Sequence, residues 1–253
     1  MNEFIVIVES NADARTATEL AERILVENVD WLERENVKYL FRWSGLQENT
    51  SNSCWKDINK ILNNFKQNSK FRPPKFLGDR REPLKADAAI SIKILNLVRF
   101  LQKERAIKAV LLIRDLDNQP ERRDGLEQAR MQDFDRKPKL EVILGTANRM
   151  REAWVLNGFI PANPQEEQLL AKIKQQLTFD PCTESDKLRS TSRENRDRWR
   201  NPKVIVEALT GQEMERERQC WEETRLAILR ERGVKTGLAD YIGEIEERLI
   251  PLV

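Results

Sequence analysis

The chain contains 253 residues, of which 40% are hydrophobic and 34% are charged, and its 44 Lys and Arg nearly balance its 42 Asp and Glu. The chain can therefore form a sizeable core, and a net charge of +2 neither favours nor excludes a nucleic-acid partner. The absence of histidine excludes Ser-His-Asp and Cys-His catalysis and all imidazole metal ligands. Cys54, Cys182 and Cys220 form no CxxC pair, so we predict neither a structural zinc site nor a disulfide framework.

Cysteine usage and the first residues indicate where the protein resides. Few, widely spaced cysteines fit a reducing compartment. The first residues, MNEFIVIVES, lack the basic and apolar segments of a signal peptide, and no apolar stretch approaches the roughly 20 residues that span a bilayer. We therefore expect a cytoplasmic protein with no membrane partner.

Strand and helix patterns alternate along the first 160 residues. The predicted strands are 4–8, 37–43, 109–113 and 139–147, and the predicted helices are about 13–25, 55–65, 86–102, 121–131, 148–156 and 165–177. Residues 44–86 are mostly polar and contain a Pro-Pro loop, which is typical of an insertion. This alternation predicts an α/β domain over 1–160, with a mostly parallel, Rossmann-like sheet flanked by helices.

The last part of the chain, residues 161–253, is predicted to be a helical C-terminal region. Its helices are expected at 204–209, 220–230 and 238–249, with breaks at Gly233 and Gly237. The segment 186–203 has almost no aliphatic residues. It is either a solvated connector or a strip that binds nucleic acid, in which Trp199 would stack on a base. Its basic residues are Lys187, Arg189, Arg193, Arg196, Arg198, Arg200 and Lys203.

Acidic residues follow two of the predicted strands. Asp115 and Asp117 come directly after the apolar run in AVLLIRDLDNQ, and Glu9 follows the first strand. If these strands are neighbours, three carboxylates converge at the carboxyl edge of the sheet, where α/β proteins bind ligands. Such a group of anions needs a cation, and oxygen ligands favour Mg²⁺ or Mn²⁺. The alternative is that these acids only cap helices or form turns.

The order of these motifs resembles that of Toprim domains. Glu9-Ser10-Asn11-Ala12-Asp13, after FIVIV, is similar to the Glu-Gly-x-x-Asp/Glu motif, with Ser10 in place of the usual glycine. Asp115-Leu116-Asp117 is similar to the Asp-x-Asp motif. NRMREAWVLNGFI, residues 148–160, resembles the Glu-Ala-Trp helix of a Toprim-like bacterial family related to the Toprim domains of OLD-type nucleases. The resemblance covers about residues 1–160.

The resemblance implies phosphodiester chemistry and assigns roles to individual residues. It implies that Glu9, Asp115 and Asp117 are catalytic, and that the metal ligands are Glu9, Asp13, Asp115, Asp117 and Glu152. Glu152 is equally well explained as a solvated helix carboxylate, and Trp154 is expected in the core. The residues expected to contact nucleic acid are Arg114, Arg149, Arg151, Arg196, Arg198, Arg200 and Lys203, of which the first three lie nearest the expected site.

The function expected from these residues and this resemblance is Mg²⁺-dependent cleavage of nucleic acid, of DNA rather than RNA. The resemblance further implies an ATPase partner in antiviral defence, and a homo-oligomer is a further expectation. Covalent catalysis is not expected, because Tyr39 is placed in a core strand and Tyr241 in the C-terminal helices. Two alternatives stay open: a haloacid-dehalogenase-like phosphatase that uses Asp115-Leu116-Asp117, and a non-catalytic module that docks on an ATPase.

Overall fold

The computed structural model describes residues 1–74, 83–194 and 196–253. Their contacts divide the chain into two units, of which the first contains residues 1–145 and 243–253 and the second contains residues 146–242. The boundary expected near residue 160 thus falls inside the second unit.

A parallel five-stranded sheet organises the first unit, which confirms the predicted α/β class. The strands are β1 (Asn2–Val8), β2 (Phe41–Ser44), β3 (Ser53–Cys54), β4 (Ile107–Asp115) and β5 (Glu141–Ala147). Their order is β2-β1-β4-β5, and the short β3 pairs with the carboxyl end of β1. The central pair, β1 and β4, is buried along nearly its whole length, as a parallel sheet covered on both faces requires.

Helices cover both faces of this sheet. They are α1 (Asn11–Asn28), α2 (Val37–Leu40), α3 (Ile58–Asn68), α4 (Ala88–Leu101) and α5 (Glu121–Asp133). The helix α1 packs on β1 and β4 together with a π-helical turn at Ile245–Leu249, while the side chains of Ile5, Ile7, Val110 and Leu112 join α3, α4 and α5 in one apolar cluster. Because side chains alternate along a strand, these four residues define one face of the sheet.

The segment 37–43 corrects one prediction. Only β2, from Phe41, is a strand, and the preceding residues form the short helix α2. Val37 and Phe41 are both buried and lie four residues apart, which is about one helical turn. Tyr39 consequently projects outward with 67% of its surface exposed, so its expected place in a core strand is wrong.

The second unit is mostly helical. It contains α6 (Arg151–Gly158), α7 (Pro164–Leu177), α8 (Pro202–Leu209), α9 (Met214–Glu222) and α10 (Leu226–Gly233), and α11 (Leu238–Glu244) begins in it. The single helix expected at 220–230 is interrupted, because the Thr224 hydroxyl donates to the carbonyl of Gly158 at 2.5 Å. A side chain at residue 158 would overlap the carbonyl of Cys220, so glycine is required there.

Within the described ranges, no helix is long and apolar enough to cross a membrane.

The last residues of the chain complete the first unit. Glu244 accepts hydrogen bonds from Arg130 at 2.6 Å and from the backbone N–H of Leu144 at 3.3 Å. Arg248 adds a further bond to Glu244 at 3.0 Å. The segment after residue 242 is thus joined by charged hydrogen bonds to α5 and β5.

A buried carboxylate lies at the amino end of β1. Glu3 is 4% exposed and accepts hydrogen bonds from Arg105 at 3.0 Å and Arg42 at 2.8 Å. Arg105 also donates to the carbonyls of Gly45 and Leu46 at 3.0 and 3.1 Å. Burial alone would raise the pKa of Glu3, but the bonds from Arg105 and Arg42 outweigh it and lower this pKa to about 2.

The lowered pKa predicts how Glu3 affects stability. Because the folded-state pKa lies below the usual value of 4.5, the stabilisation is complete above pH 4.5 and is lost as the pH falls towards 2. We expect Glu3→Gln to lower the free energy of unfolding at pH 7 by about 3 kcal/mol and to flatten this acid dependence. Urea unfolding at a series of pH values measures both effects. The exposed Glu104→Gln is the control, and identical curves for the two variants would contradict the prediction.

Candidate functional site

The carboxyl edge of the sheet brings the predicted acidic ends of two strands together. β1 and β4 are parallel neighbours, with Ile5 opposite Val110 and Ile7 opposite Leu112. Continued by two residues, this register places Glu9 opposite Arg114. The neighbouring strands that the metal-site hypothesis required are therefore present, but the cross-strand partner of Glu9 is an arginine and not an aspartate.

Arg114 is the centre of the charged cluster at this edge. Its guanidinium forms an ion pair with Glu9 through Nη1 and donates from Nε to Asp87 at 2.7 Å. It also lies over the ring of Trp55, with 5.0 Å between Cζ and the ring centroid. The Trp55 indole N–H in turn donates to the carbonyl of Ile113 at 2.7 Å. Two carboxylates and an aromatic ring thus hold one guanidinium in a fixed place.

A second arginine holds the loop that follows β4. Arg122, near the start of α5, donates from Nη1 to the carboxylate of Asp117 and to the carbonyl of Asp115, both at 2.8 Å. Its Nε lies 3.6 Å from the carboxylate of Asp87. Asp117 has a φ of 49°, in the left-handed region that Asp tolerates better than most residues. The turn is therefore held by the side chain that neutralises Asp117.

Charges around Glu9 act on its carboxyl group from several elements. Burial raises the pKa of Glu9, and the carboxylates of Asp13 and Asp117 raise it further, while the guanidinium groups of Arg114 and Arg122 oppose the rise. The net direction is upward. These five side chains therefore share one electrostatic environment.

Ser10 occupies the position where the Toprim motif usually has glycine, and its backbone needs no glycine. Ser10 has extended backbone angles, with φ of −151°, so no glycine is required there. Its hydroxyl donates to the carboxylate of the buried Asp13 at 2.5 Å. Ser10 directly precedes α1, so this hydrogen bond holds the side chain of Asp13 at the start of that helix.

The donor atoms at this edge fit Mg²⁺ or Mn²⁺ in kind, since they are carboxylate oxygens. In the described ranges, however, no three Asp, Glu or Cys side chains are grouped so that they could hold a metal ion. Glu9 and Asp117 each hold a guanidinium, and strand alternation places Asp115 on the opposite side of β4 from Arg114. A cation would therefore have to replace at least one of these ion pairs.

Glu152, the remaining predicted metal ligand, lies in the second unit. Arg149 and Arg151, two of the predicted phosphate contacts, lie there as well. Glu152 is half-buried, with an oxygen 3.8 Å from Arg151. Arg151 is itself buried and forms an ion pair with Glu217, and Arg149 is 5% exposed with a left-handed φ of 72°. The burial of both arginines leaves little guanidinium surface for a phosphate. Trp154 is buried, which confirms its expected place in the core.

The basic segment of the second unit contains the more accessible predicted contacts. Arg198, Arg200 and Lys203 are exposed, and the guanidinium of Arg198 lies 4.8 Å from the centroid of the Trp199 ring. The side chain of Arg196 lies outside the described part of the chain. These exposed cations, next to the partly exposed indole of Trp199, are compatible with a strip that binds nucleic acid. This role of the segment 186–203 stays a prediction.

Sequence reasoning missed three residues that shape this edge: Trp55, Asp87 and Arg122. Asp87 carried a usable signal, because it directly precedes an apolar-periodic helix in the position of a cap. Trp55 and Arg122 carried none, because their roles depend on how α3 and α5 approach the sheet.

No protein-family model, curated protein or solved structure matches this chain. The Toprim resemblance therefore stays a prediction that depends on the motifs quoted above.

Removing the Arg114 guanidinium should change the titration of Glu9. We expect Arg114→Gln to raise the pKa of Glu9 beyond its already raised value, because the nearest opposing cation is lost. Carboxyl ¹³C NMR titration measures this pKa, with Glu9→Gln to assign the signal. Arg42→Gln, which removes a guanidinium bonded to Glu3 at the opposite end of β1, should leave the signal unchanged. An unchanged titration in Arg114→Gln would contradict the ion pair.

Proposed function

We propose that the chain is a Mg²⁺-dependent, Toprim-like nuclease that hydrolyses phosphodiester bonds, with DNA as the preferred substrate. The observation that supports this most is the parallel pairing of β1 with β4, which brings Glu9 and the Asp115–Asp117 loop to one carboxyl edge. Ligands of open α/β sheets bind at this edge. A carboxyl group with a raised pKa in a charged cluster is also typical of functional sites.

The carboxylates of Glu9, Asp117 and Asp13 would hold the metal, and Asp115 would join them only if its side chain left the opposite side of β4. When bound, Mg²⁺ would neutralise charge on the scissile phosphate and lower the pKa of a bound water. The Toprim resemblance gives Glu9 a second possible role, that of general acid or base, which it would take in place of metal binding.

Arg114 supplies the phosphate contact in this proposal. A guanidinium has five N–H donors. In Arg114, Nε donates to Asp87, whereas Nη1, on the other side of the group, contacts Glu9. An incoming phosphate can therefore replace Glu9 at Nη1 while Asp87 keeps the arginine in place. This exchange would release the carboxylate of Glu9 at the moment the substrate binds.

The exposed cations Arg198, Arg200 and Lys203, with the side chain of Trp199, are proposed to hold nucleic acid by phosphate contacts and base stacking. We further propose that the protein acts with an ATPase partner in antiviral defence, on the resemblance of residues 148–160 alone.

A second candidate function is a non-catalytic Toprim-like module that docks on an ATPase. The pairing of Glu9 with Arg114 and of Asp117 with Arg122 favours it, because the cluster is already neutralised without a metal ion. In this case the ion pairs would serve only to hold the loops at the sheet edge.

A nicking assay separates the two functions. We expect the wild type to cut plasmid DNA only with Mg²⁺ or Mn²⁺, and Glu9→Gln or Asp115→Asn to reduce cutting by about 100-fold or more. Asp135→Asn removes an exposed carboxylate from the α5–β5 connection and is the matched control. Thermal unfolding of all variants establishes that they fold. Tyr39→Phe should cut normally, because no covalent tyrosine intermediate is proposed.

Each other result has a definite meaning. If Glu9→Gln and Asp115→Asn cut as well as the wild type, the nuclease proposal is wrong. Release of phosphate from small monoesters without nicking would favour the phosphatase, with Asp115 as nucleophile. No cutting by a folded wild type, alone or with its ATPase, would favour the non-catalytic module.

A further inference from the structure

A basic pocket lies at the amino edge of the sheet, away from the carboxylate cluster. It has a volume of about 560 Å³ and lies among the end of α4, the loop before β5 and the segment after α3. Gln102, which lines it, donates to the carbonyl of Ile107, the first residue of β4. Along β4, eight residue steps lie between Ile107 and Asp115, a distance of roughly 26 Å at about 3.3 Å per residue.

The side chains that line the basic pocket carry a strong excess of positive charge. Among the described residues that line it are six cations and no Asp or Glu, in a chain whose net charge is only +2. The cations are Lys70, Arg72, Arg99, Lys103, Arg136 and Lys137. Glu104 and Asp135 are close to these residues in the sequence but do not line the pocket. Asp133 offsets part of this charge, and the remaining positive charge would attract an anion bound among these side chains.

The three arginines are held in place before any ligand binds. Arg99 and Arg136 both bind Asp133, which is 2% exposed, with Arg99 Nε 3.0 Å and Arg136 Nη1 3.3 Å from Oδ1. Arg72 donates to three backbone carbonyls, the shortest of these bonds being that to Phe71 at 2.7 Å. Side chains that are already fixed lose little entropy on binding.

The three lysines are available to a ligand. Lys70, Lys103 and Lys137 are exposed, and none forms an ion pair with a carboxylate in residues 1–74, 83–194 or 196–253. The ammonium group of Lys103 lies 5.4 Å from the centroid of the Phe100 ring, which also lines the pocket. The exposed guanidinium groups of Arg72 and Arg136, with these exposed ammonium groups around them, suit a ligand with several phosphate groups.

We propose that the basic pocket binds the phosphate groups of a polyphosphorylated ligand, either a free nucleoside polyphosphate or the backbone of a nucleic acid. The volume of the pocket is within the usual range for small-molecule sites. The site goes beyond the nuclease function proposed above, because it lies at the opposite edge of the sheet and shares no residue with the carboxylate cluster.

Binding measurements on the full chain test this proposal. Inorganic triphosphate and a short oligothymidylate are titrated separately in EDTA, so that no cleavage occurs. We expect the combined substitution Lys70→Gln, Lys103→Gln and Lys137→Gln to weaken binding about tenfold or more and to reduce its dependence on salt. The matched control, Lys38→Gln, Lys56→Gln and Lys108→Gln, removes the same charge from exposed positions of the same unit and should change affinity by less than about twofold.

The two ligands distinguish the source of the phosphate. Binding of triphosphate that competes with oligothymidylate indicates a site for phosphate groups in general, and binding of oligothymidylate alone indicates the nucleic-acid backbone. Equal loss in the two triple variants, or no binding of either anion at low salt, would overturn the proposal. The measurements contain EDTA and use no variant of the carboxylate cluster, so failure of the nuclease proposal would leave this result intact.

Discussion

The guanidinium of Arg114 is the interaction on which the carboxyl edge of the sheet depends. Without it, the carboxylates of Glu9 and Asp87 would lose the cation that both of them bind in a partly buried setting. Trp55 covers the guanidinium and is bonded to β4, so the same contact joins the segment before α3 to the central strand pair. Any ligand at this edge, whether cation or phosphate, must compete with a contact that the protein already makes.

Much of this arrangement could be predicted from the sequence. The apolar runs of β1 and β4 and the amphipathic pattern of α4 predicted a parallel sheet with acids at one edge, and the strands are neighbours as required. The register between them could not be predicted. A shift of one residue exchanges the faces of a strand, and the pattern of apolar residues in a strand buried on both faces does not distinguish the two registers. This is why the pairing of Glu9 with Arg114 was not foreseen.

The other differences have a similar cause, since they depend on contacts between segments far apart in the chain. The break between α9 and α10 comes from Thr224 and its bond to Gly158, which no local pattern reveals. The exposed Tyr39 belongs to a segment whose apolar residues fit both one helical turn and a short strand. The basic pocket could not be predicted from the sequence, because its six cations come from three separate segments and none of these segments is conspicuously basic alone.

The bonds of Glu244 to Arg130 and Leu144 have a consequence for biosynthesis. Residues 243–253 belong to the unit that is otherwise formed by residues 1–145, so all of residues 146–242 must leave the ribosome before that unit can close. Until then, the nascent sheet lacks the π-helical turn that packs against α1. Domains generally fold as whole units during synthesis, so this unit can close only after nearly the whole chain has been made.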